Sequence, residues 1–80
     1  MNIGNNIKTR REELSMTQKE LADAIGVSRP LVAQIERGTR ALTIVLGLEI
    51  ANVLKCDLDY IIYGNDKKEK NEESENENDN

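Results

Sequence analysis

The sequence predicts an all-α fold, a compact domain of five short helices. Phe and Trp are absent, only two Tyr occur, and the apolar residues are mainly Ile, Leu, Val and Ala. This composition suits small packed helices better than a β-sandwich. Helix caps and glycines also divide residues 1–64 at short intervals, and 80 residues provide only one modest core.

Two helices are expected before a tight turn. The first covers residues 3–14. Thr17 and Glu20 then form a capping-box pattern, in which each side chain accepts a hydrogen bond from the other residue's amide. The second helix therefore begins at Gln18 and ends at Gly26, because glycine adopts a left-handed conformation at little cost.

Three more helices follow the turn. Ser28 is an N-cap, and Pro30 falls in the first turn of the third helix, which runs to Arg37. Thr43 caps the fourth helix, and a short fifth covers residues 58–63. The fourth helix is expected to direct these residues into the core: Ile44, Leu48, Ile50, Ala51 and Leu54.

Charge is distributed unevenly along the chain, whose net charge is -4. Residues 1–64 contain eight Lys and Arg and eight Asp and Glu, whereas residues 65–80 contain three Lys and seven acids. Residues 65–80 include no apolar side chain, so we predict a disordered acidic Asn/Glu-rich tail after a domain of residues 1–64. The tail could maintain solubility, compete for a basic surface of the domain, recruit a partner or mark the protein for degradation.

Composition argues against several classes of function. The chain has no His and one Cys, so it has neither an intrachain disulfide nor a Cys/His metal site. Cys56 is expected to be a buried structural thiol, with oxidation sensing as the alternative. No acid, base and nucleophile set is evident, so we expect a non-enzyme with no cofactor and no small-molecule substrate. No membrane span or signal peptide is evident, and a cytoplasmic location is expected.

Residues 18–37 contain the pattern of two helices held near a right angle. Ala22 allows close backbone approach where the helices cross, and Gly26 allows the sharp turn. Val32 and Ile35 anchor the second helix, so its outer face projects from the protein. A helical domain with a chance capping box and glycine turn is the alternative.

Three stretches, residues 17–22, 26–29 and 35–38, resemble the Xre family of regulators, the group of phage Cro and repressor DNA-binding domains. The resemblance extends over about residues 3–64. It implies a helix-turn-helix in helices 2 and 3, and a dimeric transcriptional regulator, repressor-like and possibly autoregulatory. The implied partner is a double-stranded DNA operator with two-fold symmetry, read in the major groove.

The resemblance also implies roles for particular residues. Four match base-reading positions: Arg29, Pro30, Ala33 and Gln34. Arg suits guanine and Gln suits adenine, whereas proline has no donor and departs from the family's usual polar residue. Six match phosphate-contacting positions: Arg10, Gln18, Ser28, Arg37, Thr39 and Arg40. Arg11 and Glu36 match a structural ion pair inside the domain.

A dimer interface is expected on helices 4 and 5. Val45, Leu46 and Tyr60 occupy positions that the family commonly fills with polar residues. Tyr63 lies just beyond them and adds to the apolar surface. Alternatively, Leu46 fills the core in place of a usual leucine at Gly47. The rival function is a protein-binding regulatory or antitoxin-like module that uses helices 4 and 5 or the tail.

Overall fold

The computed structural model describes residues 2–64, which form five α-helices joined by short turns. The helices are α1 (Ile3–Glu13), α2 (Gln18–Ile25), α3 (Arg29–Arg37), α4 (Ile44–Val53) and α5 (Leu58–Tyr63). No strand occurs within residues 2–64, and the predicted all-α fold is confirmed. The predicted acidic tail lies outside the described residues. None of the described helices is long and apolar enough to cross a membrane.

Caps and glycines set the helix boundaries as the sequence predicts. The Thr17 hydroxyl accepts a hydrogen bond from the Glu20 amide at 3.0 Å, and Glu20 Oε1 accepts one from the Thr17 amide at 2.8 Å. Gly26 and Gly38 follow α2 and α3 with φ of 76° and 83°, in the left-handed region that favours glycine. Only two residues therefore separate the end of α2 from the Ser28 cap of α3.

The core contains apolar side chains from every helix. Its buried members are Ile7, Leu21, Ala22, Val32, Ile35, Ile50, Ala51, Leu54 and Ile61. Cys56 is half-buried and packs against this core, and burial raises the pKa of its thiol. The thiol form is therefore favoured at neutral pH, as expected for a structural cysteine.

The expected core-facing side of α4 is partly wrong. Ile50, Ala51 and Leu54 are buried, but Ile44 is 72% exposed and Leu48 is 51% exposed. Gly47 is buried instead, because it packs against the side chains of the loop before α4 and of α5. The helix is rotated so that the glycine faces the core, and Ile44 and Leu48 lie on the solvent side of it.

Helices α1 and α3 meet at a backbone contact. A Cβ added at Gly4 would lie 2.6 Å from the carbonyl oxygen of Ile35 and would also collide with the carbonyl oxygen of Glu36. Gly4 lies in the first turn of α1 and does not need a positive φ, so its role is close approach. Glycine thus allows the start of α1 to lie directly on the end of α3.

One buried ion pair connects the same two helices. Arg11 Nε lies 2.7 Å from Glu36 Oε2, and Arg11 Nη2 donates to Glu36 Oε1 at 3.0 Å. Arg11 Nη1 donates to the Met16 carbonyl at 2.8 Å, just before α2. The two charged side chains are only 8% and 3% exposed, and the hydrogen bond to Glu36 raises the pKa of Arg11. Among residues 2–64, no buried side-chain polar atom lacks a hydrogen-bond partner.

We expect Gly4→Ala to lower the free energy of unfolding by about 1–3 kcal/mol or more, because carbonyl groups of α3 leave no space for the methyl group. Gly47→Ala is the matched control. Its Cβ would meet only flexible Leu side chains, at 3.1 and 3.3 Å, and alanine favours helix. We expect a change of less than about 1 kcal/mol there. Urea unfolding followed by circular dichroism measures both, and equal losses would contradict the close-approach role of Gly4.

We expect Arg11→Met and Glu36→Leu each to lower the free energy of unfolding by about 3–5 kcal/mol, because each leaves one buried charge without its partner. The double variant removes both charges. Its loss of unfolding free energy should therefore be clearly smaller than the sum of the losses of the two single variants. Thermal unfolding of the four proteins measures this coupling. Additive losses would show that the two side chains do not act as a pair.

Candidate nucleic-acid interface

The solvent side of α3 is opposite its buried side. Val32 and Ile35 are 1% and 3% exposed and face the core. Because successive residues turn by about 100° around a helix, the opposite side is centred on Pro30 and Arg37. The sequence-predicted base-reading residues lie on or beside this side: Arg29, Pro30, Ala33 and Gln34. Of these, Arg29 and Pro30 are exposed, and the other two are half-buried.

The first turn of α3 presents both hydrogen-bonding and apolar groups. The Ser28 hydroxyl accepts from the Leu31 amide at 3.3 Å, so its O–H remains available to donate. Arg29 is the first residue of the helix, next to a proline that has no amide hydrogen. Helix N-termini disfavour nearby cations, and α3 has no acidic residue in its first turn to offset this. The position of Arg29 therefore suits an external anionic or acceptor-rich partner.

Two arginines at the other end of α3 are also available. Arg37 and Arg40 are exposed, and the ion pairs within residues 2–64 are Arg10–Glu13, Arg11–Glu36 and Lys19–Asp23. In the described part of the chain, neither arginine has a carboxylate partner. Thr39 differs, because its hydroxyl already donates to the Gln34 carbonyl at 3.2 Å. It would have to leave that carbonyl to donate to a phosphate.

Gln18 lies at the start of α2 and is connected to the buried ion pair. Its Nε2 donates to Glu36 Oε1 at 3.0 Å, the same oxygen that accepts from Arg11. One amide hydrogen and the carbonyl oxygen of the side chain remain for other partners. The Glu36 carboxylate therefore orients a candidate phosphate-contacting residue in addition to joining α1 to α3.

The predicted phosphate contact Arg10 already has intramolecular partners. Its Nε donates to the Leu54 carbonyl at 2.9 Å and its Nη2 donates to the Lys55 carbonyl at 3.1 Å, so it caps the C-terminus of α4. It also pairs with Glu13 at 3.2 Å. The resemblance identified an arginine in α1 but could not show that carbonyl groups 44 and 45 positions away occupy its guanidinium.

The residues expected at a dimer interface differ in exposure. Val45 and Tyr63 are 69% and 42% exposed, whereas Leu46 packs against the core and Tyr60 is half-buried, which raises the pKa of its phenol. Sequence reasoning missed Ile44 and Leu48, which are exposed on α4 beside Val45. A signal was present, because residues 44–48 contain four large apolar side chains, more than one side of a helix can bury.

The arrangement as a whole can bind an acceptor-rich, negatively charged surface. It presents three arginines without ion-pair partners in residues 2–64, a hydroxyl and two amide side chains along one short helix and its flanks. No cluster of Cys, Asp or Glu within the described residues could hold a metal ion. The chemistry available here is recognition by charge and hydrogen bonding.

The sequence is similar to several transcriptional regulators. It is 34% identical over 59 residues to the uncharacterised helix-turn-helix regulator YqaE of Bacillus subtilis (strain 168), covering 74% of this chain and 51% of that protein. It is 35% identical over 69 residues to the regulator DicA of Escherichia coli (strain K12), covering 86% of this chain and 51% of that protein. The chain thus spans about half the length of these relatives.

Solved structures share the fold. The P22 c2 repressor in complex with synthetic operator 9T superposes with a TM-score of 0.74 and 30% sequence identity, over 80% of this chain and 97% of that one. The solution structure of the DNA-binding domain of the same repressor gives a TM-score of 0.77 and 29% identity, over 81% and 86% of the two chains.

The family model described as helix-turn-helix matches residues 7–61, which is more than half of the chain. This match includes α2, the turn at Gly26 and all of α3. With its repressor-like fold of five helices, the chain belongs to the Xre-like helix-turn-helix family of DNA-binding transcriptional regulators.

Proposed function

We propose that this protein binds a specific sequence of double-stranded DNA by inserting α3 into the major groove. The observation that carries the proposal is the exposed side of α3, where Arg29 and Arg37 have no ion-pair partner in residues 2–64 while Val32 and Ile35 hold the helix on the core. A helix of this width fits the major groove. Binding at an operator would exclude other proteins from the same DNA, which is the action of a repressor.

Sequence reading is assigned to the first half of α3. Arg29 can donate two hydrogen bonds to the acceptors of guanine, and Gln34 can donate to and accept from adenine. Pro30 and Ala33 present only apolar groups, which suit the methyl group of thymine. The sequence read should therefore contain guanine and adenine at separate positions, with thymine between or beside them.

Phosphate contact is assigned to residues that flank α3. Arg37 and Arg40 supply charge, the Ser28 hydroxyl supplies a donor, and Gln18 supplies its second amide hydrogen. Thr39 contributes only if its hydroxyl leaves the Gln34 carbonyl. Such contacts position the helix in the groove without selecting a sequence.

We expect Arg29→Ala and Gln34→Ala to relax the preference for one operator by about 1–3 kcal/mol each, because each removes contacts to a base. Arg37→Ala should instead weaken binding to all duplexes and reduce the salt slope by about one. Fluorescence anisotropy with duplexes from a random-sequence selection measures both effects.

Lys55→Gln is the matched control for these substitutions, since it removes an exposed cation after the C-terminus of α4. It should retain both affinity and preference. Circular dichroism verifies that every variant is folded. If Arg29→Ala and Gln34→Ala left the preference unchanged, base reading by α3 would be refuted.

A second copy of the chain is the proposed partner of the exposed apolar side of α4. Ile44, Val45 and Leu48 lie within about 100° of one another around the helix and are exposed by 72%, 69% and 51%. Surface of this kind on one helix is typical of a self-association site. Tyr63 of α5 extends this apolar surface if α4 and α5 both contribute to the interface. A two-fold dimer would place two α3 helices on half-sites about 34 Å apart.

We expect Val45→Glu and Leu48→Glu to shift the protein to a monomer and to weaken operator binding, since a charge would be buried at the interface. Both side chains are exposed in one copy, so folding should be retained. Thr9→Glu places the same charge on the exposed surface of α1 and is the control. Sedimentation equilibrium over a dilution series measures the effect, and an unchanged dimer would place the interface elsewhere.

The exposed side of α4 also supports a second candidate function, binding to another protein. Residues 1–64 carry no net charge, which is compatible with that function. The two functions differ in their salt response. DNA binding that neutralises several phosphates weakens steeply with salt, whereas an apolar protein contact changes little. Binding to no duplex in a random-sequence selection would favour the protein-binding function.

A further inference from the structure

A groove of about 340 Å³ lies where the first turn of α1 meets the end of α3 and the loop before α4. Ile3, Ile35 and Leu42 supply its apolar lining, and Arg40 is the charged residue that the described part of the chain contributes to it. Among residues 2–64, no acidic residue lines the groove. The groove therefore adjoins the phosphate-contacting end of α3 and carries a positive charge.

Arg40 and Arg37 form what we call the basic edge of the groove. Arg40 lies in the groove lining, whereas Arg37 directly precedes the lining residue Gly38 and extends its side chain from the solvent side of α3, opposite Ile35. Both arginines are exposed, and the ion pairs within residues 2–64 involve neither. The basic edge is therefore electrostatically unsatisfied within the described part of the chain, and it is complementary to an anion.

The described chain ends close to this groove. A Cβ at Gly64 would lie 2.8 Å from Asn6 Oδ1, and Asn6 Nδ2 donates to the Ile61 carbonyl at 3.0 Å. Asn6 is about one helical turn, roughly 6 Å, from Asn2, which lines the groove. Gly64, the last described residue, therefore lies beside α1, and the sixteen residues that follow it in sequence can span up to roughly 50 Å when extended, far more than this distance.

We propose that the acidic segment of residues 65–80 binds the basic edge of the groove in the same molecule and competes there with DNA phosphates. Residues 71–80 contain five acids and no Lys or Arg, which matches the charge of the edge. Each surface ion pair is weak, but attachment to the same chain gives a local concentration of the order of millimolar. The competition, though not the docking, depends on the proposed DNA binding.

The docking is tested without DNA in the full chain. The test variant carries Glu72→Gln, Glu73→Gln, Glu75→Gln, Glu77→Gln and Asp79→Asn. At about 50 mM salt, where screening is weak, we expect its amide NMR signals to differ from those of the wild type at Gly38, Arg40 and Ala41, and the differences to fade at about 300 mM salt. Identical spectra for the groove residues would overturn the proposal.

The competition is tested with a duplex that the wild type binds. We expect the neutralised variant to bind it about three- to tenfold more tightly at about 50 mM salt, and the gain to shrink as salt rises. An equal affinity of the two proteins at every salt concentration would overturn the competition. Failure to bind any duplex would refute the proposed function, whereas the NMR comparison would still decide the docking.

A double-mutant cycle separates docking from general repulsion between the segment and DNA. Repulsion predicts the same gain in any background, whereas docking predicts a smaller gain in Arg40→Gln, because the docked state loses one of its cations. Lys55→Gln removes a cation at the far end of α4 and should keep the full gain. Equal gains in the Arg40→Gln and Lys55→Gln backgrounds would overturn the proposal.

Discussion

The buried pair between Arg11 and Glu36 is the interaction on which the position of α3, the proposed DNA-reading helix, depends. Two hydrogen bonds, of 2.7 and 3.0 Å, join α1 to the last turn of α3. A third bond from Arg11 holds the Met16 carbonyl just before α2, and Gln18 of α2 donates to the same carboxylate. Three helices thus meet at one ion pair, in a small domain with a correspondingly small apolar core.

The backbone contact at Gly4 acts on the same end of α3. The ion pair sets the orientation of α3 through side chains, and the glycine sets its distance from α1 by removing a Cβ. Val32 and Ile35 then decide which side of α3 faces the core. Together these three constraints leave Arg29, Pro30 and Arg37 on the solvent side, so the candidate recognition surface is a consequence of the packing behind it.

The sequence predicted the features of the fold that have a local cause. The capping box at Thr17, the Ser28 cap and the glycines after α2 and α3 act over three or four residues, and their positions agree with the structure. The orientation of α4 was not predictable in this way. It depends on Gly47 packing against Leu42 and Leu58, which is a contact between elements.

The candidate site shows the same division between local and long-range causes. Residues of α3 could be assigned to its exposed side from helical periodicity and the resemblance together. The contacts of Arg10 could not be predicted, because its partners are carbonyl groups at the end of α4, far along the chain. The hydrogen bond between Gln18 and Glu36 could not be predicted for the same reason. The two residues are 18 positions apart in sequence, and neither residue alone indicates the bond.

A domain without net charge can still present a basic surface, because most of its acidic side chains form ion pairs or cap helices within the domain. Glu13, Glu36 and Asp23 form ion pairs, and Glu20 and Asp57 cap helices, so at least five of the eight acids in residues 1–64 have intramolecular partners. The arginines on and after α3 are engaged by none of them. Net charge therefore says little about DNA binding in so small a protein, whereas the distribution of charge between internal contacts and exposed surface is directly informative.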